Sequence, residues 1–205
     1  MEEIYLKNFD KVLRKFINKK EDFHINIPGD SNIKFWAVIK NSQISLILDA
    51  EYENINLECY FLIPAIKEQE TKIDIQTNFK AKNTKILVNV FALAVDNASI
   101  TLNGNLHIWD GINNVEARLY EETLLLWNAK YISLIPWLRV DSPDVVASHW
   151  AKIQRISPER LFYMQSRGLS QEKAVNMIIN SYSQQIIEKL ELNEQEQSEF
   201  YSMIN

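Results

Sequence analysis

Residues 85–127 read KILVNVFALAVDNASITLNGNLHIWDGINNVEARLYEETLLLW, and this stretch decides the fold. It contains three short runs rich in β-branched and aromatic residues, in which apolar and polar residues mostly alternate. The polar pieces VDNAS and DGINN separate these runs. Alternation with such breaks is typical of strands and turns. Similar runs extend from about residue 22 to residue 148 without a long helical pattern, so the sequence predicts an all-β body.

Regularly spaced short strands are compatible with a sandwich, a barrel or a solenoid. Tight hairpins usually require glycine or asparagine at positive φ, yet the chain has four glycines and only one Asn-Gly and one Asp-Gly pair. Gly104 lies inside the alternating run SITLNGNLHIW, which indicates a bulge or a close approach of another group rather than a turn. These features favour a coil of strands, although no sequence motif repeats strongly enough to establish a solenoid.

The two ends of the chain have helical patterns. In residues 1–21 apolar side chains recur at helical spacing between lysines and acids, which predicts an amphipathic helix. Packing on the body is its expected role, and binding to a membrane surface is the alternative. Residues 22–152 are the predicted β body, and residues 153–205 are a predicted helical domain in which Ser157 precedes Pro158 as a helix cap.

Composition excludes several classes of protein. The net charge is −5 and the sequence pI is about 5.3, so no basic face for nucleic acid is evident. No stretch approaches the length and apolarity of a membrane span, and the N-terminus does not resemble a signal peptide. The single cysteine, Cys59, cannot form an internal disulfide, which favours the cytoplasm.

Motifs of common enzymes are missing from the sequence: it has no phosphate loop, no zinc-binding CxxC or HExxH pattern and no GxSxG elbow. Cys59 lies in the apolar run NLECYFLI and is expected to be a buried small hydrophobe. Glu121 and its acidic neighbours Glu116 and Glu122 are expected on a solvated face. His24 and His107 are expected to face outward, and the chain is predicted not to be an enzyme.

The stretch SPDVVASHWAKIQRISPERLFYMQSRGLSQEKAVNMII, residues 142–179, resembles the C-terminal signature of the SufB/SufD family, scaffold proteins of the SUF machinery for iron–sulfur cluster assembly. Gly104 and the residues after it also resemble the family motif G-x-[IL]-x-I. The resemblance covers roughly residues 70–190 and is closer to the SufD-like form than to SufB. The most specific matching residues are Asp144, Val145, Ser148, His149, Ala151, Leu161, Phe162, Tyr163, Ser166, Arg167, Gly168, Leu169 and Ser170.

This resemblance implies a mainly β fold, a right-handed parallel β-helix (a β-solenoid) with a small C-terminal α-helical domain. It also implies that the chain pairs through its β-helix, with a SufB-like subunit or with a second copy of itself. The helical domain of the family docks a SufC-type ABC ATPase. The residues expected to form that docking surface are Leu161, Phe162, Tyr163, Arg167 and Gly168.

The chain departs from the family pattern at its candidate metal ligands. Ala147 stands where the family has a cysteine, Trp150 replaces a glycine after His149, and alignment of the triple leucine places Glu121 where a cluster cysteine would lie. Thiolates suit iron–sulfur clusters better than carboxylates do. The resemblance therefore implies that His149, with Glu121 as a weaker candidate, contributes to a metal site shared at a subunit interface. No cofactor is expected to be tightly bound, and a cluster would be transient.

The leading hypothesis is a SufD-like, non-enzymatic scaffold or adaptor subunit in iron–sulfur cluster assembly. The alternative is a degenerate β-helix protein that serves only as an ATPase-binding or structural module. An enzyme on a β-helix, such as a polysaccharide lyase, is a third class, which the missing signal peptide disfavours.

Overall fold

The computed structural model describes residues 1–8, 11–126, 128–129, 131–190 and 192–204. Twelve strands in these parts of the chain form two parallel sheets of six strands each. Sheet A contains β1 (Glu2–Tyr5), β3 (Lys20–Asn26), β5 (Gln43–Ala50), β7 (Glu70–Phe79), β9 (Ser99–Ile108) and β11 (Tyr131–Val140). Sheet B contains β2 (Lys11–Ile17), β4 (Ser31–Lys40), β6 (Ile55–Ile66), β8 (Thr84–Val95), β10 (Val115–Leu126) and β12 (Val145–Arg155).

The chain alternates between the two sheets and adds one strand to each sheet in every coil. Each strand pairs in parallel with the strand two places further along the chain, as β8 pairs with β10 and β9 with β11. Hairpins would place consecutive strands side by side and antiparallel. The predicted β-solenoid is therefore confirmed, and the barrel and sandwich alternatives are excluded.

A continuous apolar core fills the space between the two sheets. Its side chains stack in register from coil to coil, because alternate residues of every strand face inward. On β9 the inward side chains Ile100, Leu102, Leu106 and Ile108 are all fully buried. Each such aliphatic side chain contributes about 1.5–3 kcal/mol when it is fully removed from water.

Asparagine and aspartate occupy the turns before four strands of sheet B, where glycine would otherwise be expected to adopt positive φ. Asp30, Asn54, Asn83 and Asn114 precede β4, β6, β8 and β10, and all four have positive φ. These residue types tolerate the left-handed conformation better than other non-glycine residues do. Their side chains form a ladder, with Asn54 donating to Asp30 (2.7 Å), Asn83 to Asn54 (3.2 Å) and Asn114 to Asn83 (2.9 Å).

The spacing of this ladder is a signal of the coils that is present in the sequence without being a fixed repeat. Successive members are 24, 29 and 31 residues apart. The interval grows from 24 to 29 residues mainly because β6 and β7 are longer than β4 and β5, and from 29 to 31 because the turn after β9 is longer than the turn after β7, so no single period describes the chain.

The prediction of an N-terminal amphipathic helix is wrong. Residues 2–5 and 11–17 form β1 and β2, which pair in parallel with β3 and β4. The neighbouring coil supplies backbone hydrogen-bond partners and an apolar surface, and this tertiary context overrides the local helical spacing. Ile4 and Phe16 are buried in the core as a result.

Three helices follow the last strand: α1 (Pro158–Ser166), α2 (Gln171–Leu190) and α3 (Glu194–Ile204). Asn193 and Glu196 form a capping box at the start of α3, with reciprocal side-chain to backbone hydrogen bonds of 2.9 and 3.0 Å. Helix α2 packs on β6 and β8, on the outer face of sheet B. A second apolar core forms there from residues that include Trp36, Tyr60, Phe91, Leu93, Leu124, Val175, Ile179, Ile187 and Leu192. None of the described helices is long and apolar enough to cross a membrane.

Candidate functional site

His149 lies on β12, the last strand of sheet B, and its side chain points into the solenoid. Val145 and Ala147, on the same face of β12, also pack against the inner core. His149 pairs in register with Leu119 of β10, and only 4% of its side chain is exposed. The next residue, Trp150, therefore faces outward.

Trp150 does not fill the space beside the histidine. Its ring stacks on Tyr120 outside sheet B, with centroids 4.3 Å apart and planes inclined by 12°, and 46% of the residue is exposed. The bulky residue after His149 thus leaves the interior unchanged.

Glu121 lies inside the solenoid beside His149, which corrects the expectation of a solvated face. Nε2 of His149 is 3.2 Å from Oε2 of Glu121, and the Glu121 side chain is completely buried. Only Glu116 and Glu122 face outward, where Glu116 pairs with Lys85 and Glu122 with Lys152. The difference arises because side chains alternate along β10, so neighbours in sequence lie on opposite faces.

The four polar atoms of the Glu121 and His149 side chains have no hydrogen bond within the described part of the molecule. The contact at 3.2 Å lacks the alignment of a hydrogen bond, although it satisfies the distance for an ion pair. Burial of polar groups without partners costs free energy. One imidazole nitrogen and two carboxylate oxygens are therefore available for a proton, a water molecule or a metal ion.

Gly104 lies against this pair from the opposite sheet. A Cβ atom added to it would come within 3.0 Å of Oε1 of Glu121 and Cδ2 of Leu119, and would lie 3.1 Å from Cε1 of His149. The sequence suggested a bulge or a close approach at this glycine, and the close approach is confirmed. What the sequence did not reveal is the group that approaches.

The remaining histidines face outward, as expected, and lie apart from this pair. His107 contacts Asp141 (3.0 Å) and stacks on Trp109. His24 lies between the carboxylates of Glu3 and Asp49, at 3.3 and 3.5 Å.

Cys59 is not a candidate ligand. It is fully buried in the apolar core, in the same column as His149 but three coils away. Burial, with the nearby Glu58 carboxylate, raises the pKa of the thiol and disfavours the thiolate that binds metals. No group of three histidine, cysteine or acidic residues able to hold a metal ion occurs among the described residues.

The residues predicted to dock a partner lie on α1 and in the turn that follows it, outside the solenoid. Phe162 is 71% exposed, and Tyr163 is also exposed, with the guanidinium of Arg167 5.1 Å from the centre of its ring. Gly168 ends α1 with a φ of 85°. The side chain of Leu161 lies outside the described part of the structure.

Comparison with known proteins identifies the family. The sequence matches the family described as SUF system FeS cluster assembly, SufBD core domain, over residues 28–182. An iron–sulfur cluster assembly SufBD family protein of Staphylococcus saprophyticus is 28% identical over 111 residues, which cover 54% of this chain and 24% of that protein. Proteins of the same description from Staphylococcus haemolyticus and Staphylococcus aureus are 27% identical, with the same coverage.

The chain thus spans about a quarter of the length of these relatives. The family match itself is broader, since it extends from the turn before β4 through α1 and into α2. Because the match covers most of the chain, the protein belongs to the SufBD core-domain family of the SUF system for FeS cluster assembly.

Proposed function

We propose that the protein is a SufD-like, non-enzymatic scaffold or adaptor subunit in iron–sulfur cluster assembly. The observation that carries this proposal is the buried Glu121–His149 pair, whose polar atoms have no hydrogen-bond partner among the described residues and whose histidine lies on the last strand of sheet B. In this proposal the chain receives iron or a transient cluster as cargo and holds no resident cofactor.

The pair suits part of an iron site. Two ligand atoms bound to one metal ion, each about 2.1 Å from it, lie about 3.0 to 3.4 Å apart in tetrahedral or octahedral geometry. The separation of 3.2 Å between His149 Nε2 and Glu121 Oε2 falls in that range. Imidazole is a suitable ligand for iron, whereas cluster iron prefers thiolates. Since Cys59 is buried elsewhere, the thiolates would come from a partner subunit.

The end of the solenoid nearest to this pair supports such a partner. Strands β11 and β12 are the last of their sheets, and they carry large exposed apolar side chains that include Ile135, Trp137, Val146 and Ile153. Edge strands with exposed apolar side chains can pair with a strand of another chain, so that the sheet continues across the interface. On the inner face, only the small side chains of Ala147 and Ala151 flank His149, which leaves a route for a partner's ligand.

The opposite end of the solenoid has a different chemistry. The edge strand β2 exposes Lys11, Arg14 and Lys15, and such charges discourage pairing between edges. Association through only one end closes as a pair and does not propagate into a fibre. We therefore propose pairing through β11 and β12, with a SufB-like subunit or with a second copy of this chain.

The corner between α1 and α2 is the proposed docking surface for a SufC-type ABC ATPase. Much of the apolar side of α2 covers sheet B, so it is not available to a partner. Tyr163 remains exposed and lines an apolar groove with Ile156, Met164 and Ile178, and its neighbour in sequence, Phe162, is also exposed. An exposed aromatic anchor next to such a groove is typical of the centre of a protein interface.

We also place the protein in the cytoplasm, because its one cysteine is a buried free thiol that needs no oxidising compartment. No role for nucleic acid or a membrane is proposed.

The test is co-expression of the full chain with the host's SufC-type ATPase and SufB-like subunit, affinity purification, and measurement of iron and sulfide in the complex. His149→Ala is compared with His107→Ala, which removes an outward histidine. We expect His149→Ala to keep the complex and lose most of the iron, and His107→Ala to behave as wild type. Normal iron in the His149→Ala complex would show that the chain is an ATPase-binding or structural module only.

A further inference from the structure

Gly104 interrupts a column of apolar side chains on the inner face of sheet A. The in-register positions of successive coils are Phe23, Leu46, Ile75, Gly104 and Pro136. A glycine within a strand weakens it, because it buries no side chain and loses the most conformational freedom on folding. The three coils before Gly104 show that this position readily accepts a large apolar residue.

The backbone does not explain the glycine. The described glycines with positive φ are Gly111 and Gly168, and Gly104 is not among them. Any residue could therefore adopt its backbone conformation. What excludes a side chain is the space occupied by the Glu121 carboxylate and a methyl group of Leu119, with the edge of the His149 ring in tight contact beside them.

We propose that Gly104 is a positioning residue for the Glu121–His149 site, an inference that rests on the metal-binding role proposed above. The carboxylate of Glu121 lies where the Cβ atom of any other residue would stand. Leu119 closes the same space from the side, so the displaced carboxylate would have to shift relative to the ring. Because protein interiors are close-packed, such a shift would also displace neighbouring side chains. The missing side chain thus keeps Oε2 of Glu121 and Nε2 of His149 within reach of one metal ion.

The experiment measures binding of Co²⁺, a visible probe for the iron site, to the purified full chain by absorption titration. Gly104→Ala should bind Co²⁺ at least tenfold more weakly than wild type. Gly104→Ala combined with Glu121→Asp adds one carbon and removes another, and it should regain most of the affinity. Gly29→Ala is the matched control, because its new Cβ atom would crowd Tyr52 in a turn outside the solenoid interior.

A second measurement separates the failure of this inference from failure of the metal site. The imidazole ¹⁵N resonances of His149 at one fixed pH, without metal, should shift in Gly104→Ala and return in the double variant. If Gly104→Ala does not fold, Gly104→Ala with Leu119→Ala relieves one crowded contact and is expected to fold and bind Co²⁺ weakly.

The outcomes are distinct. Equal Co²⁺ affinity of Gly104→Ala and wild type overturns the positioning role and leaves the metal site intact. Absence of Co²⁺ binding by wild type, or binding that survives His149→Ala, overturns the proposed metal site. If the metal site is overturned, the His149 resonances decide the positioning role. Resonances that do not change in Gly104→Ala overturn that role, and resonances that shift in Gly104→Ala and return in the double variant support it.

Discussion

Nε2 of His149 lies 3.2 Å from Oε2 of Glu121, and neither side chain has an appreciable exposure to water. The two residues are on adjacent strands but not directly opposite, because His149 is in register with Leu119, two residues before Glu121. An ionisable pair at the end of an apolar core is a poor way to stabilise a fold. Its cost in stability is consistent with a functional role.

Replacing both members of the pair by apolar residues should stabilise the protein. Glu121→Met with His149→Leu keeps the volume and removes the desolvation of two polar groups, so we expect the free energy of unfolding to rise by about 1–4 kcal/mol. Iron loading of the complex should fall at the same time. Urea denaturation checks the first effect, and Glu121→Met alone should be less stable than the double variant. A double variant less stable than wild type would show that the pair is a structural element.

Charges placed on the last strands should prevent self-association. Ile135→Lys or Val146→Lys puts a cation on an exposed apolar edge, where we expect the dimer dissociation constant to rise at least tenfold, about 1.4 kcal/mol. Light scattering across a concentration series measures this. Arg14→Glu, on the opposite end of the solenoid, is the control and should leave association unchanged. If Arg14→Glu abolished self-association and the lysine variants did not, the dimer interface would lie at the β2 end of the solenoid.

The asparagine ladder should contribute through its backbone conformation as much as through its hydrogen bonds. Asn83 has a φ of 56°, and Asn83→Ala is expected to lower the free energy of unfolding by about 1–2 kcal/mol from this strain alone. Asn83→Gly tolerates the same φ and loses only the side-chain hydrogen bonds. We therefore expect the glycine variant to be the more stable of the two in urea denaturation. The reverse order would mean that the hydrogen bonds dominate.

Asp49 should make stability depend on pH in the acidic range. Burial raises the pKa of this carboxyl, but hydrogen bonds from Lys80 and Asn78 outweigh it and hold the pKa below its usual value. Because the pKa of Asp49 is lower in the folded state than in the unfolded state, its ionised form stabilises the folded protein at any pH above the unfolded-state pKa. This stabilisation is lost as the pH falls through the folded-state pKa. Asp49→Asn should therefore be less stable than wild type at neutral pH, and the difference should shrink below roughly pH 4. A pH-independent difference in chemical denaturation would contradict this assignment.

Phe162 should carry much of the proposed ATPase binding. Phe162→Ser removes an exposed ring from α1, so we expect the melting temperature to change little while capture of the SufC-type ATPase falls at least tenfold. A point variant is preferable to deletion of the helices, because α2 covers the outer apolar face of sheet B. Tyr5→Ser removes an equally exposed ring from the far end of the solenoid and should bind the ATPase normally. If Phe162→Ser and Tyr5→Ser bound the ATPase equally well, Phe162 on α1 would not be part of the docking surface.

Local sequence by itself determined much of the body of the fold. Alternation from residue 22 onward identified the strands, and the cap Ser157 before Pro158 marked the start of α1, which the structure retains. These features depend on side-chain periodicity and on hydrogen bonds between near neighbours, both of which are visible in the sequence. The solenoid, as opposed to a barrel, was favoured by the resemblance to the SufB/SufD family.

Only the tertiary structure decided the features that depend on distant neighbours. Residues 11–17 became a strand because β4 offers backbone partners that local spacing cannot reveal. Glu121, Glu122 and Glu116 look alike in sequence, yet only Glu121 faces the interior, where Gly104 from the other sheet leaves room for it. The physical reason is that a solenoid brings together residues about one coil apart. The site therefore arises from the register of the strands, which no local pattern contains.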